Sequence, residues 1–305
     1  MKTRRIFEKR KHMIEASTKN SIESYLKEIH DRTIKITYHA DLKLGTFNHT
    51  CLIDTSVGKF FLKHNKKDHY PAIFEKEAKG LKLIRATGAI HAPEVVFYDQ
   101  TSSETFILLE YIEPSTENDE FWSNFGKTLA NLHKHSNNYF GLEYDNYIGP
   151  LYQTNSPHEQ WVDFFIEERL ERLVKKARDA KIIEKELVSG FDNLYPYLSN
   201  IFPPEPPALL HGDLWEKNYI VDGENQAYVI DPAVYYGHRE MDIAMTRLFG
   251  KFDDRFYEAY IEAYPLEEDW LERMDIYNLY PLLVHLHLFG QEHIKQIKKI
   301  LRRFS

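Results

Sequence analysis

The sequence predicts an α+β fold with a small, β-rich N-terminal part and a mostly helical C-terminal part. Two patterns carry this prediction. Short alternating or apolar runs typical of strands occupy residues 34–63 and 106–111, whereas apolar side chains recur at helical spacing over residues 121–132, 161–180 and 256–303. At 305 residues the chain is also long enough to form two lobes with a cleft between them.

The N-terminal elements follow a basic segment, residues 1–19, which lacks the apolar region of a secretory signal and which we interpret as an extension without chemistry. The predicted elements after it are a helix at 21–29, strands at 34–39, 51–53 and 59–63, a helix at 73–85 and a strand at 106–111. Pro114 and a polar run follow the last strand. We therefore predict an N-lobe of residues 20–112 and a C-lobe of residues 113–305.

The C-terminal part is predicted to be helical except around one hairpin. Its predicted helices span 121–132, 161–180, 241–249 and 256–303, with Pro281 interrupting the last. Residues 219–221 and 227–230 form two apolar runs on either side of the turn sequence DGEN, which predicts a short hairpin.

The segment HGDLWEKN, residues 211–218, carries the clearest functional signal. Phosphoryl transfer needs an oriented acceptor hydroxyl, held phosphates and magnesium. Asp213 is placed to accept the proton of the acceptor, and Asn218, five residues later, is placed to reach magnesium from the same loop. Asp231, at the end of the hairpin, is the predicted second magnesium ligand. A Gly-Asp dipeptide alone is ordinary turn chemistry, but the three residues together predict a phosphotransferase.

An upstream lysine and glutamate complete this pattern. Lys63 ends the alternation of a predicted strand, where a lysine can reach nucleotide phosphates. Glu77 lies beside the apolar stripe of the helix at 73–85, and an inward carboxylate needs a cation, so we predict an ion pair between Lys63 and Glu77. Glu75 is the alternative partner, although it falls farther from that stripe.

The motif HGDLxxxN resembles that of small-molecule kinases with a protein-kinase-like fold, including aminoglycoside phosphotransferases and choline kinases. The continuation DPAVYYGHREMDIAMTRLFGKF at residues 231–252, together with Trp215, resembles the fructosamine kinase (ketosamine 3-kinase) family. The resemblance covers residues 21–305 and is densest over 209–252. It implies a two-lobed protein-kinase-like fold, the cofactors ATP and Mg²⁺, and transfer of the γ-phosphate to the 3-hydroxyl of a sugar joined to an amine.

The resemblance also implies several nucleotide contacts and supporting residues. Residues 44–48 occupy the position of the loop that covers the phosphates, where Leu44-Gly45 stands in place of the two adjacent glycines of many relatives. Its candidate phosphate contacts are Gly45, Thr46 and Asn48, and the candidate adenine contacts are the backbone groups from Glu110 to Ile112. His211 and Asp242 are the candidate structural supports, with Asp242 expected to bond the backbone of the catalytic loop.

The acceptor side is predicted from aromatic residues and histidines around the motif. Trp215 is expected to stack on the sugar and so place its hydroxyl at Asp213, against the alternative of packing. Glu216-Lys217 replaces the small residues usual in relatives, and Lys217 is a candidate source of local positive charge. Four further residues are candidate substrate contacts: Trp161, Tyr235, His238 and His285.

Composition limits the remaining possibilities. A net charge of −8 and a pI near 6.0 predict no broad nucleic-acid surface, and no apolar stretch reaches membrane-spanning length. Cys51 is the single cysteine, which excludes an intrachain disulfide framework and fits a reducing cytoplasm. The predicted partner is a small-molecule ketosamine or glycated amine. The alternatives are an aminoglycoside- or choline-type kinase and, more remotely, an inactive nucleotide-binding pseudokinase; the oligomeric state stays open.

Overall fold

The computed structural model describes residues 14–42 and 47–304, and the chain divides into two compact units. The first unit holds the described residues of 1–78 together with those of 94–111, and the second holds residues 79–93 and those from Ile112 onward. Residues 79–93, which the sequence prediction places in the N-lobe, therefore belong to the second unit.

The first unit is built on a five-stranded antiparallel sheet. Its strands are β1 (Ile36–Asp41), β2 (His49–Thr55), β3 (Gly58–Lys66), β4 (Val95–Gln100) and β5 (Glu104–Glu110), in the order β1-β2-β3-β5-β4. The helix α1 (Ala16–His30) precedes the sheet. Its buried residues Ile22 and Leu26 join Ile53, Leu62 and Phe106 of the strands in one apolar core. This core holds β3, the strand that carries Lys63, in the middle of the sheet. The edge strand β4 is absent from the sequence prediction.

The division between the units falls within α2 (Ile73–Ala86), and the rest of the second unit is mainly helical. Its α-helices are α3 (Phe121–His133), α4 (Trp161–Phe164), α5 (Arg172–Asp179), α6 (Lys185–Leu194), α7 (Leu198–Ile201), α8 (Glu240–Met245), α9 (Asp254–Ala263), α10 (Trp270–Tyr277), α11 (Leu279–Phe289) and α12 (Ile294–Leu301). A π-helix, Phe165–Glu171, joins α4 to α5, so the predicted helix at 161–180 has the expected extent but a wider turn in its middle.

Three two-stranded antiparallel sheets shape the part of the second unit around HGDLWEKN. They are β6 (Asn146–Ile148) with β7 (Leu151–Gln153), β8 (Ala208–Leu210) with β11 (Tyr235–Gly237), and β9 (Tyr219–Val221) with β10 (Ala227–Val229). The predicted hairpin is present as β9 and β10. The pairing of β8 with β11 brings the chain that leads into His211 beside the chain that follows Asp231.

The predicted interruption at Pro281 is wrong, because the helical stretch predicted over 256–303 is instead broken at residues 264–269, at Asn278 and at Gly290. Pro281 itself lies in the first turn of α11, where a backbone N–H has no partner within the helix, so proline is tolerated there. In the described part of the chain no helix is both long and apolar enough to cross a membrane.

Candidate active site

The first unit contains the predicted lysine-glutamate pair. Lys63 lies on the central strand β3, between Thr50 of β2 and Ile107 of β5, and only 5% of its side chain is exposed. Its Nζ atom donates to Oε1 of Glu77 in α2 over 2.7 Å. Because a buried ammonium group is costly without a partner, the glutamate fixes both the charge and the direction of the lysine.

The predicted phosphate loop is only partly described. Gly45 and Thr46 lie outside the described residues, but Asn48 is held in place, because Nδ2 of Asn65 in β3 donates to Oδ1 of Asn48 over 3.1 Å. The backbone N–H of Glu110, a predicted adenine contact, donates to the carbonyl of Glu94 over 2.9 Å. Ile112, the other end of that connector, is buried in the second unit.

The second unit brings Asp213 and Asn218 together in one loop. Nδ2 of Asn218 donates to the backbone carbonyl of Asp213 over 2.7 Å and to its Oδ2 over 2.9 Å. The backbone N–H of Asn218 donates to the carbonyl of Trp215 over 2.9 Å. All three of these bonds use the nitrogen atoms of Asn218 as donors. The side-chain amide oxygen is therefore left for another partner, such as a hard cation.

Asp242 anchors the start of this loop. The backbone N–H groups of His211 and Gly212 donate to Oδ2 and Oδ1 of Asp242 over 2.7 and 2.9 Å. Nε2 of His133, from α3, lies 3.1 Å from the same Oδ2, and Tyr260 lies 2.7 Å from the other ring nitrogen of His133. The backbone contact expected for Asp242 is thus present. His133 was not found from the sequence, since it lies 109 residues away and carries no motif.

The ring of His211 links the loop to the strand that precedes Asp231. The N–H of Asp213 donates to Nδ1 of His211 over 3.3 Å, so the ring proton belongs on Nε2, which donates to the carbonyl of Ile230 over 2.9 Å. Burial lowers the pKa of His211, which keeps the ring neutral. The predicted supporting residue therefore spans the two segments that carry Asp213 and Asp231.

Gly212 is required where these two segments cross. Its φ of +84° is unfavourable for other residues, and a Cβ atom there would lie 2.1 Å from the carbonyl oxygen of Ala233. The N–H of Ala233 in turn donates to the carbonyl of His211 over 2.9 Å. Asp231 adopts the left-handed conformation, with φ of +57°, and its side chain is exposed. Such a backbone persists only where its surroundings hold it, and these contacts do so.

The carboxyl group of Asp213 in the loop and that of Asp242 in α8 differ in charge. Desolvation, together with the nearby carboxylates of Asp231 and Asp242, raises the pKa of Asp213 to about 7 against the opposing hydrogen bond from Asn218. Burial also disfavours ionised Asp242, but the hydrogen bond from His133, the nearby charges and the Gly212 amide bring its pKa below the ordinary value. Asp242 is therefore a fixed anion, while Asp213 can exchange a proton near neutral pH.

A sequence model described as fructosamine kinase matches residues 18–305 of this chain, which is nearly its whole length. The chain belongs to the fructosamine kinase family. A probable ketoamine kinase of Enterococcus faecium is 37% identical over 283 residues, which cover 88% of this chain and 99% of that protein. The crystal structure of a protein assigned as a fructosamine-3-kinase from Haemophilus somnus matches with a TM-score of 0.84 and 31% identity, over 93% of this chain and 96% of that one.

The fold of this fructosamine kinase family member is that of the protein-kinase-like phosphotransferases. Spectinomycin phosphotransferase, solved with ADP and spectinomycin, matches over 94% of both chains with a TM-score of 0.53. At 14% identity this second likeness concerns the fold alone. Together with the family it makes the chain a kinase of the α+β, protein-kinase-like class, as the sequence predicts.

Two of the predicted substrate residues of this kinase lie in one partly exposed aromatic cluster. The ring of Trp215 packs edge-on against Phe249, with centroids 5.7 Å apart, and Phe249 stacks on His285 at 4.1 Å. Burial lowers the pKa of His285 to about 4, so the ring is neutral at physiological pH. Nζ of Lys217 lies 5.0 Å from the ring centre of Trp215, and this cation is the charge that the sequence places beside the motif.

The other three predicted substrate residues lie in the interior of the second unit, contrary to the prediction. Trp161, Tyr235 and His238 are 4%, 0% and 2% exposed. Trp161 stacks on His238 at 4.7 Å, and His238 lies 3.0 Å from the hydroxyl of Tyr277. The reason is the pairing of β11 with β8, which turns Tyr235 inward beside Leu210. These three side chains pack in the core and offer no surface to an acceptor.

The oxygen atoms near Asp213 fit magnesium rather than a metal held by the protein alone. Among the described residues there is no group of three or more His, Cys, Asp or Glu side chains that could hold a metal ion. A Mg²⁺ ion commonly takes one or two protein oxygen ligands and completes its shell with water and phosphate. The carboxylate of Asp231 and the amide oxygen of Asn218 offer oxygen atoms of the type that Mg²⁺ accepts as protein ligands.

Proposed function

We propose that this fructosamine kinase family member transfers the γ-phosphate of ATP to the 3-hydroxyl of a ketosamine, with Asp213 as the general base. The observation that carries the proposal is the state of Asp213, a partly exposed residue whose carboxyl pKa is raised to about 7 and whose Oδ2 and backbone carbonyl each accept a hydrogen bond from Asn218. A general base works best when its pKa lies near the working pH.

In this proposal Lys63, Glu77 and Asn48 of the first unit serve the nucleotide. Lys63, aimed by Glu77, binds the phosphates of ATP, and Asn48 with its neighbours in the loop contacts them from the backbone side. Asp231 and Asn218 hold Mg²⁺, which when bound offsets the negative charge that develops on the transferred phosphoryl group.

The chemical step is a displacement at phosphorus. The 3-hydroxyl oxygen forms a bond to the γ-phosphorus while the bond between that phosphorus and the oxygen bridging to the β-phosphate breaks, which releases ADP. The hydroxyl proton passes to the carboxylate of Asp213. Asp242 stays ionised throughout and holds the N–H groups of His211 and Gly212, so the loop does not move when Asp213 takes up the proton.

The acceptor is a sugar-amine adduct in this proposal, because the only predicted substrate residues at a surface are aromatic and uncharged. Trp215 and Phe249 offer ring faces on which the carbon skeleton of a sugar packs, and neutral His285 extends that wall. A polycationic acceptor such as an aminoglycoside would favour acidic side chains instead. The names of the relatives, ketoamine kinase and fructosamine-3-kinase, point to the same acceptor class.

The test is release of ADP from magnesium-ATP across a panel of fructosamines, ribulosamines, aminoglycosides and choline, with the phosphorylated position identified by NMR. We expect turnover of ketosamines with the phosphate on the 3-hydroxyl. Turnover of an aminoglycoside or choline alone would replace the proposed acceptor, and the absence of turnover and of ATP binding would favour a pseudokinase.

The role of Asp213 is tested by the substitution Asp213→Asn. We expect turnover to fall by roughly 10²- to 10⁴-fold, the usual contribution of a general base, while ADP binding measured by calorimetry is retained. Turnover near that of the wild type would remove Asp213 from the mechanism.

A further inference from the structure

The second unit contains a buried cation that none of the proposed steps uses. Arg169 lies within the π-helix Phe165–Glu171 and its side chain is 0% exposed. In the part of the chain that the structure describes, no carboxylate lies within ion-pair distance of its guanidinium, and Oε1 of neighbouring Glu168 instead accepts from Arg172 over 3.1 Å. A buried charge without a counter-ion is unusual, because its desolvation is normally offset by an opposite charge.

The guanidinium of Arg169 is held by neutral groups. Nη1 donates to the carbonyl of Thr154 over 2.7 Å, and Nη2 donates to Oδ1 of Asn155 over 2.7 Å. Its carbon Cζ lies 3.9 Å from the ring centre of Tyr235 and 5.3 Å from that of Tyr280. Aromatic faces and carbonyl oxygens thus stabilise the charge in place of a carboxylate.

Arg169 starts a chain of side-chain amides, and it determines their direction together with the backbone carbonyls to which each amide nitrogen donates. A guanidinium only donates hydrogen bonds, so Asn155 must present its oxygen to it and its nitrogen to the other side. That nitrogen donates to Oδ1 of Asn146 over 3.0 Å. Asn146 must therefore donate through its own nitrogen, which bonds the carbonyl of Val234 over 2.8 Å.

Gln153 joins the same chain. Its nitrogen donates to Oδ1 of Asn146 over 2.8 Å and to the carbonyl of Ala233 over 3.1 Å, and its oxygen accepts from the hydroxyl of Tyr280 over 2.6 Å. All three amides are buried, with exposures of 0% for Asn155, 2% for Gln153 and 3% for Asn146. Water therefore does not compete for these bonds, and reversing one amide would leave two buried groups of the same kind facing each other.

The chain of amides ends on two consecutive carbonyls, two and three residues after Asp231. Ala233 is also fixed from the opposite side, because its N–H donates to His211 and its carbonyl packs on Gly212. The segment that begins with Asp231 is thereby held along both edges. A π-helix is rare and is frequent at functional sites, and here it contributes the buried cation at the start of the amide chain.

We propose that Arg169 is a positioning residue for the metal ligand Asp231. Arg169 holds Asn155, which donates to Asn146, and Asn146 with Gln153 donates to the carbonyls of Val234 and Ala233, so this chain of bonds fixes the backbone that aims the Asp231 carboxylate. The inference rests on the proposed function in one respect, that Asp231 binds the metal ion. Arg169, on a different element from Asp231, would then control how tightly Asp231 binds the metal ion.

The most informative variant is Asn155→Asp. A carboxylate still accepts from Arg169, and even provides the missing counter-ion, but it does not donate to Asn146 or to the carbonyl of Tyr144, so Arg169 is disconnected from the other amides. The matched control is Asn278→Asp. Asn278 is also buried, at 6% exposure, and its Nδ2 donates to the carbonyl of Ala244 over 3.1 Å, but it is not a member of the amide chain that starts at Arg169. Both variants place a carboxylate in the interior of the second unit.

The probe is Mn²⁺, whose binding to the full-length protein with ADP is followed by electron paramagnetic resonance, and ADP alone is titrated by calorimetry. For Asn155→Asp we expect Mn²⁺ affinity to fall roughly 10- to 100-fold, as for other residues that orient metal ligands, with ADP affinity in the absence of metal within about twofold of wild type. Asn278→Asp is expected to lower thermal stability without a specific loss of Mn²⁺ affinity.

A second pair of variants keeps the proposal testable if Asn155→Asp does not fold. Arg169→Lys retains an obligate donor and Arg169→Gln does not, while both lose the planar guanidinium. We expect Arg169→Lys to bind Mn²⁺ at least about fivefold more tightly than Arg169→Gln, since outer-shell partners usually contribute more than that to metal affinity.

The possible results separate this inference from the proposed function. Equal Mn²⁺ affinity in Asn155→Asp and Asn278→Asp, or equal loss of ADP binding with and without metal, overturns the positioning role of Arg169 while leaving the proposed function intact. A wild-type protein that binds Mn²⁺ no better with ADP than without it overturns the metal role of Asp231, and this inference fails with it.

Discussion

At the residue scale, two aspartates differ in ionisation because their surroundings differ. Asp242 accepts hydrogen bonds from two backbone amides and His133, so it is ionised although it is buried. Among the described residues the carboxyl of Asp213 accepts from Asn218 alone, and desolvation together with two nearby carboxylates raises its pKa to about 7. The first arrangement is suited to holding a loop and the second to exchanging a proton.

The raised pKa of Asp213 predicts how activity depends on pH. Below about pH 7 the carboxyl is protonated and does not accept the acceptor proton, so kcat/KM for the acceptor should rise with pH toward 7 and level off above it. Neither His211 nor His285 is expected to produce this rise, because burial lowers both pKa values. Initial rates from pH 5.5 to 9 at saturating magnesium-ATP provide the measurement, and a profile that falls over this range would contradict a base with this pKa.

The same shift predicts an effect of Asp213→Asn on stability. The folded pKa of about 7 lies above the ordinary value of 3.8, so ionisation of Asp213 costs stability increasingly as pH rises from about 4 to 7. The amide carries no charge. We expect the variant to be more stable than wild type at pH 8 by on the order of 1–3 kcal/mol, since one pKa unit corresponds to about 1.4 kcal/mol and water screens part of it.

Urea unfolding of the wild type and the Asp213→Asn variant at pH 8 and pH 5 checks this prediction. At pH 5 Asp213 is protonated in the folded protein but already ionised in the unfolded chain, so the gain in the free energy of unfolding should be only about a third of that at pH 8. The same difference at both pH values would mean that the gain does not come from the charge of Asp213.

At the scale of elements, the crossing of the HGD loop with the segment after Asp231 depends on Gly212. An alanine there would place Cβ 2.1 Å from the carbonyl oxygen of Ala233 at a φ of +84°. We expect Gly212→Ala to lower the free energy of unfolding by on the order of 3–5 kcal/mol and to abolish turnover, because both segments must move apart. Thermal unfolding and the ADP-release assay measure the two effects.

The matched control for that substitution is Gly223→Ala, in the turn between β9 and β10, where nothing lies within 4 Å of an added Cβ and φ is not positive. It should stay within about 0.5 kcal/mol of wild type, as most surface substitutions do. Comparable losses in the two variants would show that the close contact with Ala233 is not what Gly212 provides.

The pair on β3 and α2 gives a second prediction at this scale. Glu77→Gln keeps an acceptor oxygen for Lys63 but removes the negative charge that offsets its buried ammonium group, and we expect kcat/KM for ATP to fall roughly 10- to 100-fold. Glu75→Gln, two residues earlier in the same helix, is the control and should stay within about twofold of wild type. Steady-state kinetics at varied ATP would show equal losses if Glu75, the alternative partner, aims Lys63 as well.

The elements that the sequence predicts are those whose signal is local. The β9-β10 hairpin and α2 carry their turn residues and apolar period in a few consecutive positions, and the residues of HGDLWEKN meet within one loop. The pairing of β11 with β8 joins strands some 25 residues apart in the chain through three residues each, so the inward direction of Tyr235 is invisible locally. The hydrogen-bonded chain from Arg169 to Val234 is not predictable from the sequence for the same reason, since its members are ordinary polar residues until the fold brings them together.

At the scale of the whole molecule, the two units carry different natural probes. Cys51, the single cysteine, is 1% exposed in the core of the first unit, and burial raises its thiol pKa to about 11, so it reacts only when that unit opens. The four tryptophans, at positions 122, 161, 215 and 270, all belong to the second unit. Unfolding of each unit can therefore be followed separately in the unmodified protein.

These probes test the proposed nucleotide contacts as a whole, because Lys63 and Asp231 belong to different units. A ligand that binds only the folded state adds about 2.7 kcal/mol of stability at a concentration 100 times its dissociation constant. We expect magnesium-ADP to raise the urea midpoints of both Cys51 labelling and tryptophan fluorescence. In Asp231→Asn, ADP should give the same stabilisation with and without magnesium. A shift of one probe alone would mean that the nucleotide is bound by the residues of one unit only and would separate Lys63 from Asp231 in function.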